Sequence, residues 1–271
     1  MKTRVLAAAA LLPLLLIVLL VLPKIFTAIM VGLFCAIGAY ELLQGTKLVT
    51  ELRLTVYTAI MAFLVGIWCY FEMNYPAALL GVLFFSALIF AEILVSHAKL
   101  DFRKAAVCFA GGLLIPFLMT SLVRIRILYN GVFYILVPFL LAFLSDTGAY
   151  FAGRYLGKHK LAPVISPNKT VEGFIGGILA AILGMLLFCV ILDLAFGFTV
   201  SYLNALAYGI FGSLAAVFGD LIFSAIKRQT GIKDYGNLIP GHGGILDRFD
   251  SMTMVAPMTE ALLLLLPVAV K

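Results

Sequence analysis

The residues best equipped for chemistry lie between Asp220 and Ser251. Asp220, Ser224, Lys227 and Arg228 fall at offsets of 0, 4, 7 and 8, so all four share one helical face. A carboxylate is thereby set one to two turns from two cations. Beyond it come Lys233-Asp234, Asn237, Pro240-Gly241-His242-Gly243-Gly244 and Asp247-Arg248-Phe249-Asp250-Ser251. Glycines such as Gly241, Gly243 and Gly244 let backbone amides approach a phosphate closely, and the start of a helix favours anions. Asp247 and Asp250 are three apart and can face one side of the first turns of a following helix. Two carboxylates beside such amides suit Mg²⁺, a cation that prefers oxygen ligands. Taken singly, each piece has a plainer reading: an intrahelical ion pair with snorkelling cations, or a glycine turn before a helix start that favours Asp. Their concentration in one short stretch favours phosphate chemistry.

The composition indicates which elements must position these residues. Of 271 residues, 64% are hydrophobic and 12% charged, against about 45–50% and about 25% in an ordinary soluble domain. The apolar residues form long runs joined by short polar connectors, the pattern of helices crossing a bilayer. Nine spans are predicted, at 5–22, 25–43, 54–71, 76–96, 105–123, 132–151, 174–200, 203–225 and 252–270. The expected fold is an all-α integral membrane protein, one polytopic domain over 1–271, with the reactive stretch at 220–251 and an accessory polar loop at 145–173. The first apolar run is longer than the about 7–15 residues of a signal-peptide core and has no small-residue cleavage pattern after it, so it reads as a retained span.

Charge sets the orientation. With the N-terminus in the cytoplasm, all of the nineteen Lys and Arg except Lys24, Arg124, Arg126 and Lys271 fall on that side, as the positive-inside rule requires. The net charge of +6 is then a one-sided basic face, suited to anionic headgroups and phosphates. No basic domain stands clear of the membrane to bind nucleic acid. Within the predicted spans lie Glu41, Glu92, Asp146, Asp193, Asp220 and Glu260. Glu41 and Glu92 are near cytoplasmic span ends and read as snorkelling acids. Asp146 opens Ser145-Asp146-Thr147-Gly148-Ala149-Tyr150, a polar break expected at the end of the sixth span.

Other features read as structural. Cys35, Cys69, Cys108 and Cys189 sit in separate apolar runs without metal-ligand spacing, and read as small packing residues. Gly153 to Lys158 has three residues between its glycines where a phosphate-binding P-loop has four. Gly173 and Gly177 form a small-xxx-small pair suited to helix packing. His97 and His159 lack partner spacing, and Lys99, Arg103 and Lys104 read as surface charges facing anionic lipid.

The stretch Ser224-x-x-Lys227-Arg228, Lys233-Asp234, Pro240-Gly241-His242-Gly243-Gly244 and Asp247-Arg248-x-Asp250 resembles the signature of the phosphatidate cytidylyltransferases, the CDP-diacylglycerol synthases. The resemblance implies CTP and phosphatidate as substrates, Mg²⁺ dependence (with room for a second cation) and a product used in phospholipid synthesis. It also draws Ser145-Asp146 and the run Ser166 to Gly173 into the site region. On this reading Asp220 and Asp247 are the leading metal ligands, followed by Asp250 and then Asp146. Lys227, Arg228, Lys233 and Arg248 hold phosphate oxygens, with Gly241, Gly243 and Gly244 lending amides. Ser224 and Asp234 complete the set. His242 is a hydrogen-bond donor to a phosphate, since a phosphate nucleophile is already ionised and needs no strong base. Localisation follows as a bacterial inner membrane with the site on its cytoplasmic face; a homodimer is left open. The rival readings are a CTP-dependent lipid kinase of the polyprenol or phytol type, and an ion-coupled transporter.

Overall fold

The computed structural model describes residues 12–71, 75–96, 101–239 and 243–270. Of the described residues, 78% are helical. Among the described residues seven helices are long and apolar enough to cross a membrane: α1 Lys24–Gly45, α2 Leu52–Tyr70, α3 Tyr75–Val95, α4 Phe102–Ile127, α5 Gly131–Leu156, α6 Val171–Phe196 and α7 Tyr202–Gln229. The protein is thus an all-α, multi-pass membrane protein.

The two outermost predicted spans behave differently from these seven. Residues 1–11 lie outside the described residues, and the rest of the first run forms a short apolar helix, Leu12–Val21. The last predicted span, 252–270, is not one helix. After the single turn of α8, Leu246–Phe249, the helix α9 covers Met252–Leu265, 14 residues, about 21 Å at 1.5 Å per residue. The hydrocarbon core is about 30 Å thick. Leu266 leaves the helical region with φ −135° and ψ 70°, as a residue before proline is pressed to do by Pro267. The chain then runs out as a strand. Ala269–Val270 pairs antiparallel with Thr199–Val200, with Thr199 opposite Val270 and Val200 opposite Ala269.

The polar loop expected at 145–173 is also largely helix. α5 continues to Leu156, so Ser145 to Tyr150 occupies a helix interior and not a break at its end. Close packing explains this. A Cβ on Gly148 would come within 2.4 Å of the Ala180 Cβ, and one on Gly176 within 2.2 Å of the Ala152 Cβ. The face of α5 that carries Gly148 and Ala152 is therefore pressed against α6 and gains contact by staying helical. What remains of the loop is a β-hairpin, β1 Lys160–Ala162 and β2 Ser166–Thr170, with Lys160 opposite Thr170 and an irregularity before Ala162 meets Ser166. Thr170 closes the hairpin and opens α6, its side chain accepting the Gly173 N–H at 3.1 Å as a helix cap. At its other end α6 stops at Gly197, whose φ of +67° suits a residue without Cβ.

The chain divides into two compact units, one of Met1–Val132 with Lys227–Phe249 and the other of Phe133–Ile226 with Asp250–Lys271. The helix α7 supplies residues to both. In the first unit, α1 ends in a π-helical turn, Glu41–Gly45, with Glu41, Leu42 and Leu43 buried. In the second, a buried hydrogen bond of 2.7 Å joins the Ser145 and Ser213 hydroxyls of α5 and α7, so two polar groups inside the helix packing satisfy each other.

Candidate active site

The signature stretch is divided between the two units, and each half builds a cluster of its own. In the first unit the chain leaves α7 at Gln229 and returns through Tyr235 to the single turn of α8. Asp247 is the second residue of that turn, and its side chain is only 2% exposed. One oxygen, Oδ2, accepts the backbone N–H groups of Tyr235 at 2.8 Å and Gly244 at 3.0 Å. The other, Oδ1, faces the Lys227 ammonium at 2.8 Å. That ammonium also lies 5.3 Å from the centroid of the buried Tyr235 ring, a cation–π contact that holds it over the loop. A buried carboxylate is costly unless paired and hydrogen-bonded, and Asp247 is both.

Glu41 enters the same cluster from α1. It is 4% exposed, and its two oxygens accept the backbone N–H groups of Ile245 at 3.0 Å and Leu246 at 2.8 Å. Its expected role as a snorkelling acid is therefore wrong: the carboxylate turns inward and serves as a cap for the α8 turn. A helix start has unpaired N–H groups that must be satisfied, and so short a turn cannot do so alone. With Gly244 bonded to Asp247, three consecutive amides, 244 to 246, are taken by carboxylates. The Gly244 amide, expected to meet a phosphate, is thus committed within the protein.

In the second unit α7 presents Asp220, 29% exposed at its side chain. Its Oδ1 accepts the Ser224 hydroxyl one turn on at 3.2 Å, as the four-residue spacing predicts. Its Oδ2 is ion-paired with Lys169 from the β2 strand. Asp146 of α5 lies within electrostatic range of both Asp220 and Lys169. The backbone at Asp250 and Ser251 packs against Gly219, where a Cβ would come within 2.8 Å of the Asp250 carbonyl. The Asp250 carboxylate accepts the Ser251 N–H at 2.7 Å, and the Asp250 carbonyl accepts the Thr253 hydroxyl. Asp247 and Asp250 do not share the first turns of one helix as expected, because a turn separates α8 from α9.

The remaining predicted residues are placed as follows. Arg228, Lys233, Asp234 and Arg248 are exposed, and Gly243 is half-buried. Gly241 and His242 lie outside the described residues. The four cysteines are free, three of them buried. Arg103 and Lys104 are not the bare surface charges expected: Lys104 pairs with Glu51 at 2.5 Å and Arg103 with Asp101 at 3.7 Å; Lys99 lies outside the described residues. Of the residues in the clusters, Glu41 was not singled out by motif, and Lys169 was drawn in only as part of the run Ser166 to Gly173. The only sequence signals were an acid inside a span and a lysine within the polar run before α6.

The protein is a multi-pass membrane protein whose first unit sets two acids and a lysine around a glycine-rich return loop and whose second unit pairs an acid with a lysine. Residues 2–266 match the cytidylyltransferase family. A phosphatidate cytidylyltransferase of Staphylococcus epidermidis is 42% identical over 190 residues, 68% of each chain. One of Staphylococcus saprophyticus is 40% identical over 179 residues, 66% of each, and one of Staphylococcus aureus 47% over 135 residues, 50% of each. The chain belongs to the cytidylyltransferase family and is a nucleotidyltransferase.

Proposed function

We propose that this enzyme is a phosphatidate cytidylyltransferase, converting CTP and phosphatidate to CDP-diacylglycerol and pyrophosphate. The observation that carries the reading is the relatives of that name at 40–47% identity. A phosphatidate oxygen attacks the α-phosphorus of CTP, the bond from that phosphorus to the bridging oxygen breaks, and pyrophosphate leaves. Both reactants are polyanions, so fixed cations and positioning supply most of the catalysis.

The donor set supports a Mg²⁺ requirement. Among the described residues no three His, Cys, Asp or Glu side chains gather around one point. Mg²⁺ is usually held by one or two carboxylates, with water and substrate phosphates completing its shell. Asp220 with Asp146 is such a pair, and the Lys169 ammonium already balances its charge. Asp247 reaches a cation only through Oδ1, the oxygen that Lys227 faces, and Asp250 is a further candidate. Held by Asp220 and Asp146, a Mg²⁺ would supply positive charge against the phosphate oxygens. Lys227, Arg228, Lys233 and Arg248 steady the phosphates, and His242 donates a hydrogen bond to one of them.

The active face is cytoplasmic, where CTP is found. Two spans, α6 and α7, separate the connector at 157–170 from the one at 230–251, which supports a common side for them, and their Lys and Arg favour the cytoplasm as that side. Cysteines introduced at 160 and 238 react with impermeant thiol reagents only from the cytoplasmic face, and one at 128 only from the other. Labelling of 160 and 238 from opposite sides would refute the topology. The reaction itself is tested with purified protein, CTP, phosphatidate and Mg²⁺. The expected products are pyrophosphate and CDP-lipid; no CDP-lipid here, with CDP and a phosphorylated lipid formed when a polyprenol or phytol is supplied instead of phosphatidate, would make the protein a lipid kinase.

A further inference from the structure

We propose that Glu41 is a positioning residue for the reaction, holding the backbone that carries Asp247. The proposal rests on the reading that Asp247 serves the chemistry. Glu41 belongs to α1, yet its hydrogen-bond partners lie 204 and 205 residues further along the chain. Neighbouring amides donate to the two carboxylate oxygens, one to each, so the α8 turn can neither slide nor rotate without breaking one of the bonds. Gly244, between those amides and the rest of the loop, donates to Asp247. Two carboxylates therefore grip one three-residue segment, one from the turn itself and one from α1.

The loop also packs closely against this carboxylate and against the end of α1. A Cβ at Gly244 would stand 2.4 Å from Glu41 Oε1, and one at Gly236 2.5 Å from the same atom. Gly45, at the end of the π turn that begins with Glu41, faces the backbone carbonyl of Tyr235, 2.0 Å from where its Cβ would be. The Tyr235 amide is the other backbone donor to Asp247. The end of α1 thus braces both stretches of loop that supply Asp247 with its N–H groups. A misplacement of about 1 Å can cost about 100-fold in rate, so a loosened brace is expected to act on turnover more than on substrate binding.

Glu41→Gln keeps the shape but sets an NH₂ group against a backbone N–H donor. The expected result is kcat lower by about tenfold or more, KM for CTP and for phosphatidate within about threefold, and faster amide hydrogen exchange confined to residues 243–250. A residue that only adds stability would leave kcat per folded molecule unchanged and raise exchange broadly. Gly244→Ala provides the second arm, pressing on the same carboxylate from the loop side while Glu41 stays intact, and is expected to reproduce both effects. Exchange at 243–250 unchanged in either folded variant, or kcat within about threefold of wild type in both, overturns the proposal. Asp247→Asn is assayed beside them: if it keeps full turnover, Asp247 leaves the reaction, and the exchange result still decides whether Glu41 holds the turn.

Discussion

Asp220 and Asp247 present the same functional group, and the protein treats them in opposite ways. Asp247 is buried and held by two backbone amides and a lysine. Asp220 is part-exposed, and the partners described above, Ser224 and Lys169, are both side chains. A side-chain partner can leave by changing rotamer, whereas a backbone partner leaves only if the loop moves. Asp220 is therefore the acid proposed to exchange its lysine for a cation, since that exchange needs only rotamer changes. Asp247 is a part of the fold that also faces a cation. Two acids that look equivalent in a motif thus divide into one that can accept a ligand and one that shapes the loop beside it.

The largest effects are expected where this contrast is attacked directly. Asp220→Asn and Asp247→Asn each lower turnover of CTP and phosphatidate by more than about 100-fold, as loss of a group acting on the reacting charges does. They separate in stability. Removing one partner of a buried ion pair costs about 3–5 kcal/mol, so Asp247→Asn lowers the unfolding midpoint in detergent. Asp220→Asn, at a part-exposed pair, unfolds close to wild type. Equal midpoints for the two variants would erase the distinction. Turnover within a few-fold of wild type in either would remove that residue from the chemistry.

The contrast also marks how far the sequence could be read. The stripe from Asp220 to Arg228 was legible because helical geometry turns spacing into a face, and α7 is continuous through it. The Asp220–Ser224 bond follows from the same arithmetic. Glu41 was not legible, since an acid near a span end has the same local pattern whether it snorkels or caps a turn 204 residues away. Lys169 is one of four cations in the run 152–173, and only the hairpin register directs it at Asp220. The last span was overread for a related reason. Hydropathy over 252–270 registers a continuous apolar run, while one proline decides that the chain leaves the helix at Leu266.

The lysines extend the comparison to smaller effects. Lys227 is 14% exposed against a 2% exposed partner, and Lys169 24% against 29%. Lys104 and Glu51, 28% and 38% exposed, form an ion pair of the same kind with no glycine loop beside it. If an ion pair alone mattered, all three lysines would behave alike. A charge-assisted hydrogen bond to a phosphate is worth about 1.5–3 kcal/mol, whereas an exposed pair is worth about 0–1 kcal/mol. Lys227→Ala is therefore expected to lower turnover by about tenfold or more and to destabilise the fold, because it strands a buried carboxylate. Lys169→Ala lowers turnover comparably but leaves the unfolding midpoint near wild type. Lys104→Ala and Arg103→Ala change turnover by less than about threefold. Measured together on properly folded protein, equal losses at all four positions would mean that diffuse surface charge carries the activity. A loss at Lys227 and Lys169, with the midpoint lowered only for Lys227, would assign one lysine to the fold as well as the reaction and the other to the reaction alone.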